Sequence, residues 1–164
     1  MAHWILQMNP NHFSLDKEYP LQLGHDDWWC LSRSHKIAVG DEAFIWRAID
    51  YRDKKTGAKP RGIYAKARIL SAPPHSREMA RRIEQAKKFD HYRWSDLHER
   101  TVQESKPHEI LISYTELWET NPLTCEEIKS AGLGDLHIIT YPNQEICGLS
   151  ELAAAKILDL LQRK

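Results

Sequence analysis

Three arrangements in this chain could carry chemistry: a thiol with a base, a pair of carboxylates, and aromatic rings edged by cations. Cys30 and His35 could form a nucleophile and its base. However, they lie across an expected bend, and no third group orients the imidazole. Asp26 and Asp27 are adjacent. Neighbours on an extended chain point to opposite faces, so the two do not form an acid–base pair. Cys30, Cys125 and Cys147 are odd in number, far apart and free of any C-x-x-C pair, which predicts buried thiols rather than disulfides or a zinc site. The nine histidines contain no H-x-x-x-H pair, and neither a G-x-G-x-x-G nor a G-x-x-x-x-G-K-[ST] motif is present. No catalytic residue, metal or cofactor is expected.

The aromatic residues are the better lead. Of six tryptophans, Trp28, Trp29 and Trp46 lie in or beside the early strands. Filling a core is the ordinary use of an indole. The alternative is a slot for a flat ligand: a base stacked on an aromatic face gains ~1–3 kcal/mol, and a flipped base is also held by hydrogen bonds to its edge. Asn9 and Ser32 can supply such bonds, and Arg33 can hold a phosphate. At most one of Trp28 and Trp29 can face a given slot, because consecutive strand residues alternate. The overall charge is zero, but between Arg47 and Arg68 eight basic residues stand against two acids. They surround the loop DKKTGAKPRG, either as a solvated face or as a contact for a phosphate backbone. The cations at its mouth are Arg47, Arg52, Lys54, Lys55, Lys59 and Arg61.

The elements that must position these residues are short and punctuated by turns. HWILQM is a first strand ending at Asn9-Pro10-Asn11. WWCL is a second, and Gly40-Asp41 turns into a third over Ala43–Ile49. In that third strand Phe44 and Trp46 share one face, while Ala43 and Ile45 share the other. Two apolar faces predict a central strand covered outside by helices. The next strand, GIYAKARIL, alternates Ile63, Ala65, Ala67 and Ile69 against Tyr64, Lys66 and Arg68. Ser76 is expected to cap a helix with a Met79, Ile83, Ala86, Phe89 stripe. EILISY is a strand, and Thr124-Cys125-Glu126-Glu127 has capping-box spacing. Leu136–Thr140 is expected as a last strand. Ser150 is expected to cap a helix with Leu152, Ile157, Leu160 and Leu161 on its apolar side. The chain has no run of 18 apolar residues and no signal-peptide pattern at its start. A cytoplasmic, single-domain protein without membrane contact is expected, of the α+β class: a mixed β barrel with flanking helices.

The ordered set HWILQMNPNHF, DDWWCLSR, IAVGDEAFIWRA, GIYAKARILSAP and ISYTELWETNPLTCEE resembles the EVE domain, a family of the PUA-like superfamily. The resemblance runs over essentially the whole chain. It implies a PUA-like pseudo-barrel with flanking helices and a concave pocket that accepts a modified base, with modified cytosine in DNA placed ahead of RNA. It also implies association with a McrBC-like GTPase or nuclease. Carried onto this sequence, the pocket candidates are Asn9, Pro10, Trp28, Trp29, Ser32, Arg33, Trp46 and Tyr64. The alternatives are an amidohydrolase acting on modified nucleosides, as in related ASCH modules, with Lys66 as the residue to test, and a module that recruits a partner.

Overall fold

The structure is a computed structural model that describes residues 1–10, 22–48, 59–89, 94, 97–141 and 144–164. Seven strands form one curled mixed sheet: β1 (His3–Met8), β2 (Asp26–Leu31), β3 (Glu42–Arg47), β4 (Gly62–Ser71), β5 (His108–Leu117), β6 (Leu123–Thr124) and β7 (Ile146–Leu149). The order across it is β2-β5-β4-β3-β1-β7, with β6 paired to β4. Only the β1–β3 pair is parallel among these pairings. The edge strands β2 and β7 come together through Glu145, whose carboxylate accepts from the backbone N–H (2.9 Å) and the hydroxyl (2.8 Å) of Ser32. Glu145 also pairs with Lys106, and its carbonyl accepts from the Gln7 N–H at 2.9 Å. The seam therefore closes the sheet into a pseudo-barrel and covers edges that would otherwise be open.

The core has three parts, set by side-chain alternation. Leu6, Met8, Leu31, Ala43, Ile45, Ile69, Ile112 and Tyr114 fill the barrel. On the outside of β1 and β3, Ile5, Phe44 and Trp46 pack beneath α3 (Cys125–Ile128), α4 (His137–Thr140) and α5 (Glu151–Leu161). Trp28, Cys30 and Leu111 pack beneath α1 (Arg77–Phe89) through Ile83 and Ala86. A further helix, α2 (Leu97–Glu104), precedes β5. The third strand is thus central and buried on both faces, as its two apolar faces predict.

The Gly40-Asp41 turn is a structural hub. Gly40 has φ +92, a conformation that favours glycine. The Asp41 carboxylate accepts from the Ala2 N–H (2.8 Å), the Trp4 indole N–H (2.9 Å) and the Ala38 N–H (3.0 Å). Burial alone would raise its pKa, but these donors outweigh burial and hold it below the usual carboxylate range.

Capping follows the sequence. Thr124 and Glu127 form a reciprocal capping box, while Ser150 accepts from the Ala153 N–H and Ser76 from the Met79 N–H, both at 3.2 Å. Three expectations are corrected. Leu136–Thr140 contains a helical turn rather than a strand, because the edge beside β1 is taken by Ile146–Leu149. Leu152 is 68% exposed, because Ala153, Ile157 and Leu161, four apart, make the buried stripe of α5. The alternation of β4 breaks at its start: Ile45 pairs with Ala65 but Trp46 with Ile63, so Tyr64 is the extra residue of a β-bulge. As a result Tyr64 joins Ala65 in the barrel while Ile63 packs outside under the helices.

Candidate nucleic-acid interface

One end of the barrel is built where β1 and β3 finish and β4 begins. Register sets Met8 beside Arg47, and Arg47 beside Gly62. Tyr64, 3% exposed because the bulge turns it inward, donates its hydroxyl to the Pro60 carbonyl at 2.8 Å. The Arg47 guanidinium lies 6.0 Å from the Tyr64 ring and donates to the Lys59 carbonyl at 2.8 Å. Arg47 is only 8% exposed. It braces the segment that carries Lys59 rather than standing at an open entrance.

The two early tryptophans part company. Trp28 points outward, 4% exposed, stacked on Trp94 at 6.0 Å with the Lys87 ammonium 5.4 Å from its ring. It is a core residue under α1. Trp29 points inward, half-buried against the barrel core. Two residues before it on the same face, Asp27 is 2% exposed and accepts from the Tyr114 hydroxyl at 2.5 Å and the Trp28 N–H at 2.9 Å. Asp26 faces outward and forms a two-pronged pair with Arg82, both contacts 2.8 Å. The acidic pair is split between faces, as alternation requires.

Trp46 differs from its expected place as a pocket wall. It is 0% exposed and lies on the helix-covered face with Phe44, because it alternates with Ile45, which faces the barrel. The Arg61 guanidinium sits 5.7 Å from its ring, and Arg61 Nη2 has no hydrogen-bond partner among the described residues. Asn9 is exposed and Pro10 half-buried just beyond β1. Ser32 is tied to the seam through Glu145, and Arg33 is exposed beside it. Burial raises the Glu145 pKa less than Lys106 and Ser32 lower it. Lys59 and Arg61 are half-buried at the rim. Arg52, Lys54 and Lys55 lie outside the described residues. Sequence reading overlooked Asp27 and Tyr114 as a pair, since they are 87 residues apart and meet only through β2–β5 pairing.

Enzymatic arrangements fare poorly. Cys30 is buried under α1, and burial, reinforced by Glu109, pushes its thiol up to about 12. Cys147 is pushed up to about 11 by burial. Lys66 is held between Glu42 and Glu116. Ser71 touches His75 Nδ1 at 2.7 Å, and His75 Nε2 lies 3.0 Å from the Glu109 carbonyl. Ser71 is buried, so this contact staples the end of β4 to β5. Among the described residues no His, Cys, Asp or Glu group could hold a metal, and no helix is long and apolar enough to cross a membrane.

The EVE domain family model matches residues 2–160. The chain belongs to the EVE domain family. Its solved structural relatives include a hypothetical protein from Leishmania major (17% identity, TM-score 0.59, covering 100% of this chain and 98% of that one). They also include human THYN1 in complex with DNA containing 5-methylcytosine (18% identity, TM-score 0.57, 98% of this chain and 97% of that one). The ASCH protein ZmASCH from Zymomonas mobilis is similar at 11% identity and a TM-score of 0.54, over 96% of this chain and 95% of that one. No curated protein matches the chain. The fold of this EVE domain is the PUA-like pseudo-barrel with flanking helices.

Proposed function

We propose that this EVE domain is a non-enzymatic reader that binds nucleic acid and takes a modified base, such as a modified cytosine in DNA, at one end of its barrel. The observation that carries the reading is the inward-facing, half-buried Trp29 on the same strand face as the Asp27–Tyr114 pair. An indole held this way offers a preformed stacking surface, and the buried polar pair beneath it fixes the strand that carries it. Asn9, exposed beyond β1, supplies groups for the base edge, while both Ser32 donors are held by Glu145 at the seam. Arg33 and Lys59 are placed to meet the phosphates, with Arg52, Lys54 and Lys55 of the basic segment, whereas Arg61 is packed against Trp46. The family membership, and the human THYN1 complex with 5-methylcytosine DNA, support a nucleic-acid ligand. Strand cleavage, in this reading, belongs to a partner such as a McrBC-like GTPase or nuclease.

The test contrasts the two adjacent tryptophans. Trp29→Ala removes a stacking surface worth ~1–3 kcal/mol, so affinity for a duplex bearing the modified base falls roughly 5- to 150-fold per folded molecule, while the melting temperature falls less than in Trp28→Ala because Trp29 is only half-buried. Trp28→Ala removes a core side chain and lowers stability without changing affinity per folded molecule. Unaltered binding by folded Trp29→Ala would overturn the assignment.

A further inference from the structure

We propose that the turn at Leu23 and the end of α1 at Phe89 form an apolar ledge that enters the base stack of a duplex and fills the space left by the extruded base. This inference rests on the reader function proposed above. Two large apolar side chains stand out here: Leu23 is 64% exposed and Phe89 45%. The His25 N–H bonds the Gln22 carbonyl at 3.1 Å, closing a turn whose third residue, Gly24, has φ +76. That is the pattern of a type II turn, which puts Leu23 at its tip. The turn is strapped to β5 by the Gly24 N–H on the Tyr114 carbonyl (2.8 Å) and the Tyr114 N–H on the His25 carbonyl (3.3 Å). Phe89 meets the His25 ring edge-on at 4.4 Å.

The ledge is tied to the strand pair that carries the proposed pocket. Tyr114 holds the turn through its backbone and Asp27 through its hydroxyl. A base drawn toward Trp29 leaves a gap in its stack, and apolar wedges inserted between base steps are how proteins hold such a gap open. The local charge suits that occupant: exposed Lys88 precedes Phe89, and the acid beside His25, Asp26, is neutralised by Arg82. Two protruding side chains on braced backbone suit insertion better than they suit a broad protein-binding face.

The experiment compares wild type with Leu23→Ser, Phe89→Ser and the double variant on three labelled substrates of one sequence. These are a matched duplex with 5-methylcytosine, the same strand with the modified base opposite an abasic site, and the single strand. A 2-aminopurine beside the target reports unstacking. The double variant is expected to melt like wild type, because both side chains are exposed. It should bind the matched duplex about tenfold or more weakly and fail to raise 2-aminopurine fluorescence. It should bind the abasic-site duplex and the single strand much more nearly as wild type does, because those bases are already unpaired and cheaper to extrude. Equal loss on all three substrates, or wild-type binding of the matched duplex, overturns the ledge alone. Failure of wild type itself to bind any of the three overturns the reader function and the ledge together.

Discussion

Replacing Trp46 by Ala separates the two roles open to the tryptophan that ends β3. Its indole is 0% exposed and packs with Ile5, Phe44, Ile63, Leu123 and Ile128. Truncating such a side chain costs about 3–5 kcal/mol, a large part of the ~5–15 kcal/mol that holds a domain together. In a chain of this size each kcal/mol lowers the melting temperature by about 2–4 °C, so the midpoint should fall by roughly 6–20 °C. The Trp46 Nε1 has no hydrogen-bond partner among the described residues. Trp46→Phe therefore loses volume but no hydrogen bond, and should cost less. Urea titration followed by circular dichroism measures both variants, with an unchanged m-value as the check on two-state unfolding. Nucleic-acid affinity is measured at low temperature, where both remain folded. The expected result is lost stability with unchanged affinity per folded molecule. A Trp46→Ala protein as stable as wild type, yet unable to bind, would place the indole against the ligand and refute the reasoning.

Three further outcomes follow from local geometry. Asp41 has a lowered folded pKa, so its contribution is fully present above the unfolded value and lost as pH falls through the folded one. Asp41→Asn should cost about 1–3 kcal/mol at neutral pH and flatten the acid limb of stability below about pH 4, read by urea titrations across pH; an unchanged limb contradicts the hub. Gly62→Ala should destabilise by about 1–3 kcal/mol, because a Cβ there would stand 2.2 Å from the Leu123 carbonyl oxygen; thermal melting checks it, and an unshifted midpoint contradicts the close β4–β6 approach. Cys30, with its thiol raised to about 12, should resist iodoacetamide at pH 8 until the protein unfolds, as mass spectrometry would show; rapid native labelling contradicts its burial.

What the sequence made legible was local. The two-faced burial of β3 could be read from Ala43, Phe44, Ile45 and Trp46, and the capping box from Thr124 and Glu127, because each depends on neighbours within a few residues. The bulge at Tyr64 was not legible, since its cause is the mismatch of two strands rather than any signal in GIYAKARIL. Alternation showed that Trp28 and Trp29 must part, but their directions depended on α1 packing over β2 through Ile83 and Ala86. The inward turn of Arg47 was hidden for a similar reason: it needs the Lys59 carbonyl and the Tyr64 ring, brought together by the fold. A cation read from composition as a surface charge became a brace inside the rim.

The most direct test of reader function is fluorescence anisotropy with short labelled duplexes that differ at one cytosine, unmodified, 5-methyl or 5-hydroxymethyl, with matched RNA alongside and two salt concentrations. Reader function requires one modified DNA duplex to bind more tightly than the unmodified one at both salts, with a salt slope that counts the phosphates contacted. Equal affinity for every duplex, falling together with salt, would reduce the interface to a basic patch and contradict a base pocket at Trp29.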